Sequence, residues 1–551
     1  MRKSGWVEAI VLAAVLTLLN AIKPAAVDDT AYLQMGKHLA AHPLDPYGFE
    51  LFWYWKPDPA MHVLLPPVLP YWLAGSLRIC GDHLFLVKLC LFPFAMLLAA
   101  SLRFLLKRFS PEWDRPMLAI LMLSGAILPT FGVMLDVPAL ALGLAAVACF
   151  VSGCDDRRIR WAWLAGLFLA LAMQTKYSML TIPAVIVWYG LLSRRILYAI
   201  LAVSVAATVF AAWEYLLLRQ YGESHFLFHL DDQPAMTWKE KFRLFQPMLG
   251  QLGGVGIGVG IVAAYAAGVN RWLLAIGTVI AAVGVGAVCV VPLSDAVLVP
   301  GKLDLSKAVF VTLGAASGLA VLAAAVRMLV RSRGWNSADS WFLVGWLLLE
   351  IVAYFALTSF PAARRVISLT VVGGLVAARM LSLGLQRNPD RRAPRWLVPV
   401  GFAAGLGLFA VECWDCFPEE VLAERAAERI GDPGSHTVWF NGHWGFQYYC
   451  DRAGMKPVVP SRSTLRTGDW LVFPAIPDDY GFYRPYHGGA KFLPDLDSLE
   501  PIDEFTWDDR LSAQTIPNFY GGIVPIAGRD HPRLRIVLYR VTQDWKPTYA
   551  E

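Results

Sequence analysis

Apolar residues come in blocks along most of this chain. Up to about residue 414, runs of 14 to 23 largely apolar residues alternate with short polar segments, and several reach the roughly 20 residues with which a helix crosses a bilayer. Beyond 415 the runs stop. The pattern predicts thirteen membrane-spanning helices, at 6–22, 84–106, 117–131, 137–152, 161–174, 177–192, 196–217, 248–268, 272–293, 308–326, 341–358, 366–386 and 396–414. The stretch 62–80 is apolar as well, but Pro66, Pro67, Pro70 and Arg78 make it a poor straight span. It reads as an interfacial helix.

Charge supports that reading. With the N-terminus inside, the segments left in the cytoplasm hold 18 Lys and Arg in 52 residues, and the outer loops hold 13 in 119, the asymmetry expected of membrane proteins. Counting 62–80 as a span would move the Arg-rich segments 157–160 and 387–395 outside. The thirteen-span reading places residues 415–551 outside. Met1 to Ala26 also has the outline of a secretory signal, but Lys23 and Pro24 sit badly for cleavage and the odd span number needs this helix. A composition of 57% hydrophobic and 17% charged residues, with mean hydropathy +0.49, excludes an ordinary soluble protein. The net charge of +5 follows from the inside bias and does not point to nucleic acid.

The expected architecture is an all-α polytopic membrane domain, 1–414, followed by a small extracytoplasmic α/β domain, 415–551. The first outer loop, 23–83, carries interfacial helices. In TAYLQMGKHLAAH, Tyr32, Met35, Gly36 and Leu39 share one helical face, and DPYGFELFWYWKPDPAMH is dense in the aromatics that favour the interface. In the tail, 436–442, 468–474 and 533–541 read as strands and HWGFQYYCDRAG as a helix. Cys80, Cys90, Cys149, Cys154 and Cys289 lie in or beside the membrane and read as small apolar residues. Cys413, Cys416 and Cys450 face the oxidising side, where Cys416 and Cys450 are the candidates for a disulfide.

The candidate chemistry lies at outer helix ends. Asp28 and Asp29 follow the first span directly. One Asp suffices to cap the helix that follows, so the second is surplus, and paired carboxylates can supply a general base and hold its partner or a metal ion. Asp136 opens the fourth span before Val137 and Pro138, an ordinary helix start. Lys176, beside Tyr177 in a short outer turn, and Arg364 and Arg365 before the twelfth span oppose the charge bias. Cations there suit a phosphate at the membrane surface. His38, His42 and His62 share the first loop region with Asp28, Asp29, Asp45 and Asp58, a set compatible with a divalent metal, but their spacing matches no zinc signature. Glu350 lies within the eleventh span, where ionisable residues are functional or paired.

With these positions placed, the chain resembles the C-type (GT-C) glycosyltransferases, and within them glycosyltransferase family 39, the protein O-mannosyltransferase and lipid A aminoarabinose transferase group, over roughly residues 6–386. The stretch VDDTAYLQMGKHL is similar to the family's acidic pair followed by a tyrosine. LLPPVLPYWLAG, with Tyr71, is similar to its interfacial helix, LDVPALALGLAAVACF to its second acidic site, and GLFLALAMQTKYSMLTIPAVIVWYGLL to its Thr-Lys-Tyr turn. The resemblance implies an outward-facing site, a polyprenyl-phosphate sugar as donor, Asp28 as the carboxylate at the acceptor and Asp136 as a second acid. Departures are Asp-Asp where Asp-Glu is usual, Leu65 where a basic residue or His is expected, and Val366 after Arg365 where Tyr is usual. Lys56 and His62 are the substitutes for the missing donor-phosphate contact.

The expected function is therefore transfer of a sugar from a lipid-phosphate donor to a lipid, glycan or protein acceptor, with inversion, at a bacterial inner membrane. A transporter or flippase would place its ionisable residues near the midplane on interrupted helices, and a non-catalytic assembly protein would not need the acidic pair.

Overall fold

The computed structural model describes residues 4–53, 56–232, 236–290, 304–332, 338–387, 396–477, 483–485, 497–516, 518–529 and 532–548. The expected inner segments 327–340 and 387–395 and the end of the span 272–293 lie partly outside the described residues.

Helix α1 (Ser4–Ala21) leads through a largely buried turn into α2 (Asp29–Ala41). A two-stranded ribbon, β1 (Glu50–Phe52) with β2 (Pro57–Pro59), and the single turn α3 (Ala60–Val63) connect to α4 (Val68–Cys80). Helices α2 and α4 pack closely because α2 carries Gly36: a Cβ there would stand 3.1 Å from the Leu73 Cβ. The stretch 62–80 is thus a short turn and a separate helix, not a continuous span.

Beyond it come α5 (Leu84–Leu89), α6 (Phe92–Phe109), α7 (Asp114–Met122), α8 (Asp136–Asp156), α9 (Ile159–Met173) and, after a 3-10 turn at Tyr177–Thr181, α10 (Ile182–Leu192). Then follow α11 (Ile196–Tyr221), α12 (His225–Asp231), α13 (Trp238–Arg243), α14 (Phe245–Val255), α15 (Ile257–Ala266), α16 (Arg271–Val290), α17 (Leu305–Arg331), α18 (Ala338–Leu357), a second 3-10 turn at Ala363–Val366, α19 (Ile367–Arg387) and α20 (Leu397–Ile430). Among the described residues, eight helical units are long and apolar enough to cross a bilayer, nine if α14 and α15 form one broken span, and three shorter apolar helices accompany them. The chain is an integral membrane protein. Thirteen spans were expected, and two of those segments are not straight helices.

The first is 117–131. Helix α7 stops at Met122, and residues 123–135 run as buried turns through Ser124, Gly125, Pro129 and Gly132. Irregular backbone at membrane depth is tolerated where protein satisfies its carbonyls. Asn20 Nδ2 donates to the Leu128 carbonyl at 2.9 Å, and Lys23 Nζ donates to that of Pro129 at 2.8 Å. The second is 248–268, where α14 and α15 meet at 86° at Gly256. Glycines at 253, 254, 256 and 258 weaken the helix there. They also permit close packing, since a Cβ on Gly253 would fall 1.8 Å from the Phe310 carbonyl oxygen of α17.

On one membrane face, Arg108 bonds Asp155 at 2.6 Å and Asp339 at 2.9 Å, with Arg379 3.8 Å from Asp339, which ties the ends of α6, α8, α18 and α19. On the opposite face α20 leaves the bundle without a break and continues past residue 415, with Pro418 inside it. The expected domain boundary thus falls within one helix. Beyond it, β3 (Val438–Phe440), α21 (Trp444–Arg452), β4 (Lys456–Pro457), β5 (Trp470–Pro477), β6 (Tyr483–Pro485), β7 (Leu499–Trp507), β8 (Ala513–Gln514), α22 (Asn518–Gly521), β9 (Ala527–Gly528) and β10 (Leu534–Val541) form the C-terminal region. Its main sheet has the order β4-β3-β5-β10-β7, with β3 parallel to both neighbours and the other pairs antiparallel. Strand β10 is central and mostly buried, which is why it reads as a nearly continuous apolar run. Cys416 and Cys450 are both buried and free.

Candidate functional site at the ends of α2, α8 and α19

The first loop, the start of α8, the turn after α9 and the turn before α19 meet on the membrane face opposite the Arg108 cluster. Asp28 stands at the N-cap position of α2 but makes no side-chain cap bond. Its carboxylate instead accepts from the guanidinium of Arg364. Val27, just before it, has φ +44°, a conformation that costs a β-branched residue of the order of 1–3 kcal/mol. That turn sends Asp28 and Asp29 to different places.

Asp29 is 2% exposed and faces Lys88, itself 1% exposed, at 3.4 Å. Lys88 Nζ also donates to the carbonyls of Lys23 at 2.7 Å and Pro24 at 3.2 Å. Lys23 in turn pairs with Glu412 of α20 at 3.2 Å, and Tyr520 of α22 donates to the same carboxylate. Burial opposes the charge of Lys23, yet Glu412 and the other acids around it raise its pKa. The C-terminal region is further tied to this turn by Ala25 N donating to Tyr449 Oη at 2.8 Å and by Thr30 Oγ1 donating to the Trp444 carbonyl at 2.6 Å.

Asp136 is the first residue of α8 and accepts from Lys176. Burial lowers the Lys176 ammonium from its ordinary value, and Asp136 opposes that shift. These two ion pairs frame a small cavity of about 60 Å³ lined by Asp136, Lys176, Glu350, Tyr354, Arg364 and Arg365. It has room for a small anionic group but not for a whole lipid-linked sugar. Glu350, 7% exposed, takes a bond from Trp346 Nε1 at 3.0 Å and faces the cavity from α18. Arg365 stacks on Phe360 with its guanidinium carbon 4.7 Å from the ring centre. Among the described residues its Nε is buried without a hydrogen-bond partner, and it makes no ion pair. Leu369 lines both this cavity and an adjacent apolar groove of about 480 Å³ between α14, α15, α17, α18 and α19.

The structure thus brings together Asp28, Asp136, Lys176, Arg364 and Arg365, with Tyr32 buried one turn along α2. It places the other expected site residues elsewhere. Asp29 belongs to the Lys88 network. Tyr177 turns to His225 Nδ1 at 2.5 Å and Glu214 at 3.3 Å. His62 pairs with Glu223 at 2.6 Å and stacks on Phe228. Tyr71 donates to the Pro43 carbonyl at 3.0 Å. Lys56 is 69% exposed beside Asp58. Lys23, Lys88 and Glu412 were not singled out from sequence. For Glu412 the signal was present, since it is an acid within an apolar span, as Glu350 is.

Residues 65–215, just over a quarter of the chain, match the sequence profile of the family described as dolichyl-phosphate-mannose-protein mannosyltransferase. No curated protein matches the chain in sequence. Among solved structures, the archaeal oligosaccharyltransferase AglB from Archaeoglobus fulgidus, in complex with an inhibitory peptide and a dolichol-phosphate, has a TM-score of 0.50 at 13% identity. The match covers 82% of this chain and 64% of that one, so this chain spans less than two thirds of that relative. ArnT from Cupriavidus metallidurans, bound to undecaprenyl phosphate, matches at TM-score 0.39 and 14% identity over 85% of this chain and 93% of that one. At 13% identity the oligosaccharyltransferase match speaks for the fold alone. The chain shares the helical membrane fold of the Archaeoglobus fulgidus oligosaccharyltransferase, and its segment 65–215 matches the sequence profile of the mannosyltransferase family.

Proposed function

We propose that the protein is a membrane glycosyltransferase that takes a sugar from a polyprenyl-phosphate carrier and passes it to a lipid, glycan or protein acceptor on the extracytoplasmic face of a bacterial inner membrane. The observation that carries this reading is Arg365. Of the three cations lining the cavity, Lys176 is neutralised by Asp136 and Arg364 by Asp28, whereas Arg365 makes no ion pair among the described residues. A phosphate is the natural complement of such a guanidinium. The apolar groove that meets the cavity at Leu369 suits the isoprenoid chain of the same donor.

Asp28 takes the proton of the acceptor hydroxyl while that oxygen attacks the anomeric carbon. The sugar–phosphate bond breaks on the opposite face, which inverts the anomeric centre. The leaving phosphate gains one negative charge, and Arg364, Arg365 and Lys176 stabilise it. Arg364 has two suitors, Asp28 and the phosphate. Donor binding draws it toward the phosphate and frees the Asp28 carboxylate to act as a base. The residues present do not fit a divalent metal: Asp28 and Asp136 each hold a cation, and among the described residues no three His, Cys, Asp or Glu side chains converge.

Binding of undecaprenyl phosphate to the purified protein in nanodiscs tests the reading. Arg365→Gln should weaken it by roughly 10-fold or more, the 1.5–3 kcal/mol of a charge-assisted hydrogen bond. Unchanged affinity would return Arg365 to its stack on Phe360 and remove the argument for a phosphate.

A further inference from the structure

We propose that Cys80 and Cys90 are a disulfide in the mature protein, a covalent staple between α4 and the start of the helical unit 84–109. By sequence these residues read as small apolar fillers. The structure brings their sulfurs to 3.7 Å, with both side chains partly exposed.

The surroundings favour closure. Cys80 is the last residue of α4, followed by Gly81 at φ +63°, and Cys90 sits in the short break between α5 and α6. Neither is locked inside a long helix, so small movements can bring the sulfurs to the roughly 2.05 Å of a disulfide. The two elements are already in register: Trp72 Nε1 of α4 donates to the Cys90 carbonyl at 2.8 Å, and the Trp72 ring meets Phe94 edge-on at 5.4 Å. Little further ordering is required.

Position in the membrane follows from neighbours. Lys88, two residues before Cys90, holds the Lys23 and Pro24 carbonyls and Asp29, and Asp82, two residues after Cys80, pairs with Lys37 of α2 at 2.6 Å. The thiol pair therefore lies on the same face as Asp28. The inference rests on the proposed reading that this face is extracytoplasmic, where disulfides form and persist. The reaction is thiol–disulfide exchange with the Cys–Cys disulfide of an oxidoreductase. The two thiols lose two electrons and two protons, one sulfur–sulfur bond forms, and the partner's disulfide becomes a dithiol. The staple would fix the helix on which α2 rests, and α2 carries Asp28 at its start.

The test is peptide mapping by mass spectrometry, without reductant, of full-length protein whose free thiols were trapped with N-ethylmaleimide in intact cells before purification. The expected result is a linked peptide pair containing Cys80 and Cys90, together with a lower thermal midpoint on reduction that a Cys80→Ser, Cys90→Ser variant no longer shows. N-ethylmaleimide on both cysteines overturns the inference. A cysteine at exposed Lys56, probed in parallel with a membrane-impermeant thiol reagent, separates the causes. If Lys56→Cys labels, only the staple is wrong; if it is protected, the assignment of the face has failed as well.

Discussion

Two adjacent aspartates carry different duties here because one strained residue, Val27, and the turn of a helix separate their directions. Asp28 shares a guanidinium with the cavity, while Asp29 is sealed against Lys88. Replacing Asp28 by Asn keeps the shape and removes the proposed base. We expect Asp28→Asn to bind undecaprenyl phosphate but to turn over at least roughly 100-fold more slowly with a competent donor and acceptor. Full turnover in that variant would exclude Asp28 as the base. Because Asp28 makes no side-chain cap bond, loss of a helix cap would not account for a defect. The acidic pair was legible in the sequence as a pair. Its division was not, because the deciding partner of Asp28 lies 336 residues away and nothing local records it.

At the scale of elements, blocks of apolar residues located most of the helices, and alternation and turn residues located β3, β5, β10 and α21. The buried turns at 123–135 escaped because they are as apolar as a helix and take their carbonyl partners from α1 and the turn after it. Helix α12 escaped because it is short, seven residues in which two His and an Asp interrupt the apolar ones. It holds the site's surroundings in place: His225 Nε2 donates to the Leu64 carbonyl at 2.9 Å, which leaves Nδ1 to accept from Tyr177, next to Lys176. Burial lowers the pKa of His225 to about 3, below the roughly 6.5 of a free imidazole. The fold therefore favours the neutral ring. That stability is present in full above pH 6.5 and is lost as the pH falls from there toward 3. Thermal midpoints measured across that window should fall more steeply for the parent protein than for His225→Asn. Parallel curves would mean that the ring titrates alike in the folded and unfolded chain.

For the whole molecule, orientation is the property that the sequence states most directly, through 18 cations in 52 residues against 13 in 119. The structure adds that Asp156 lies beside the Arg108 cluster and that the exposed Asp508 belongs to the region beyond α20. In intact cells or spheroplasts, a cysteine at Asp508 should react with an impermeant thiol reagent and one at Asp156 should not. The reverse pattern would turn the site toward the cytoplasm. The ion pair of Lys23 with Glu412 sets a condition in time as well as in space. Its two members are 389 residues apart, so at about 5–20 residues per second the ribosome needs roughly 20–80 s to deliver the second after the first. Throughout that interval the amine has the Pro129 carbonyl to donate to but no carboxylate to balance its charge, which falls to water, headgroups or an insertion factor. Completion of the last span is therefore the event that closes the bundle, and nascent chains that stop before α20 present an unpaired charge that membrane quality control can read.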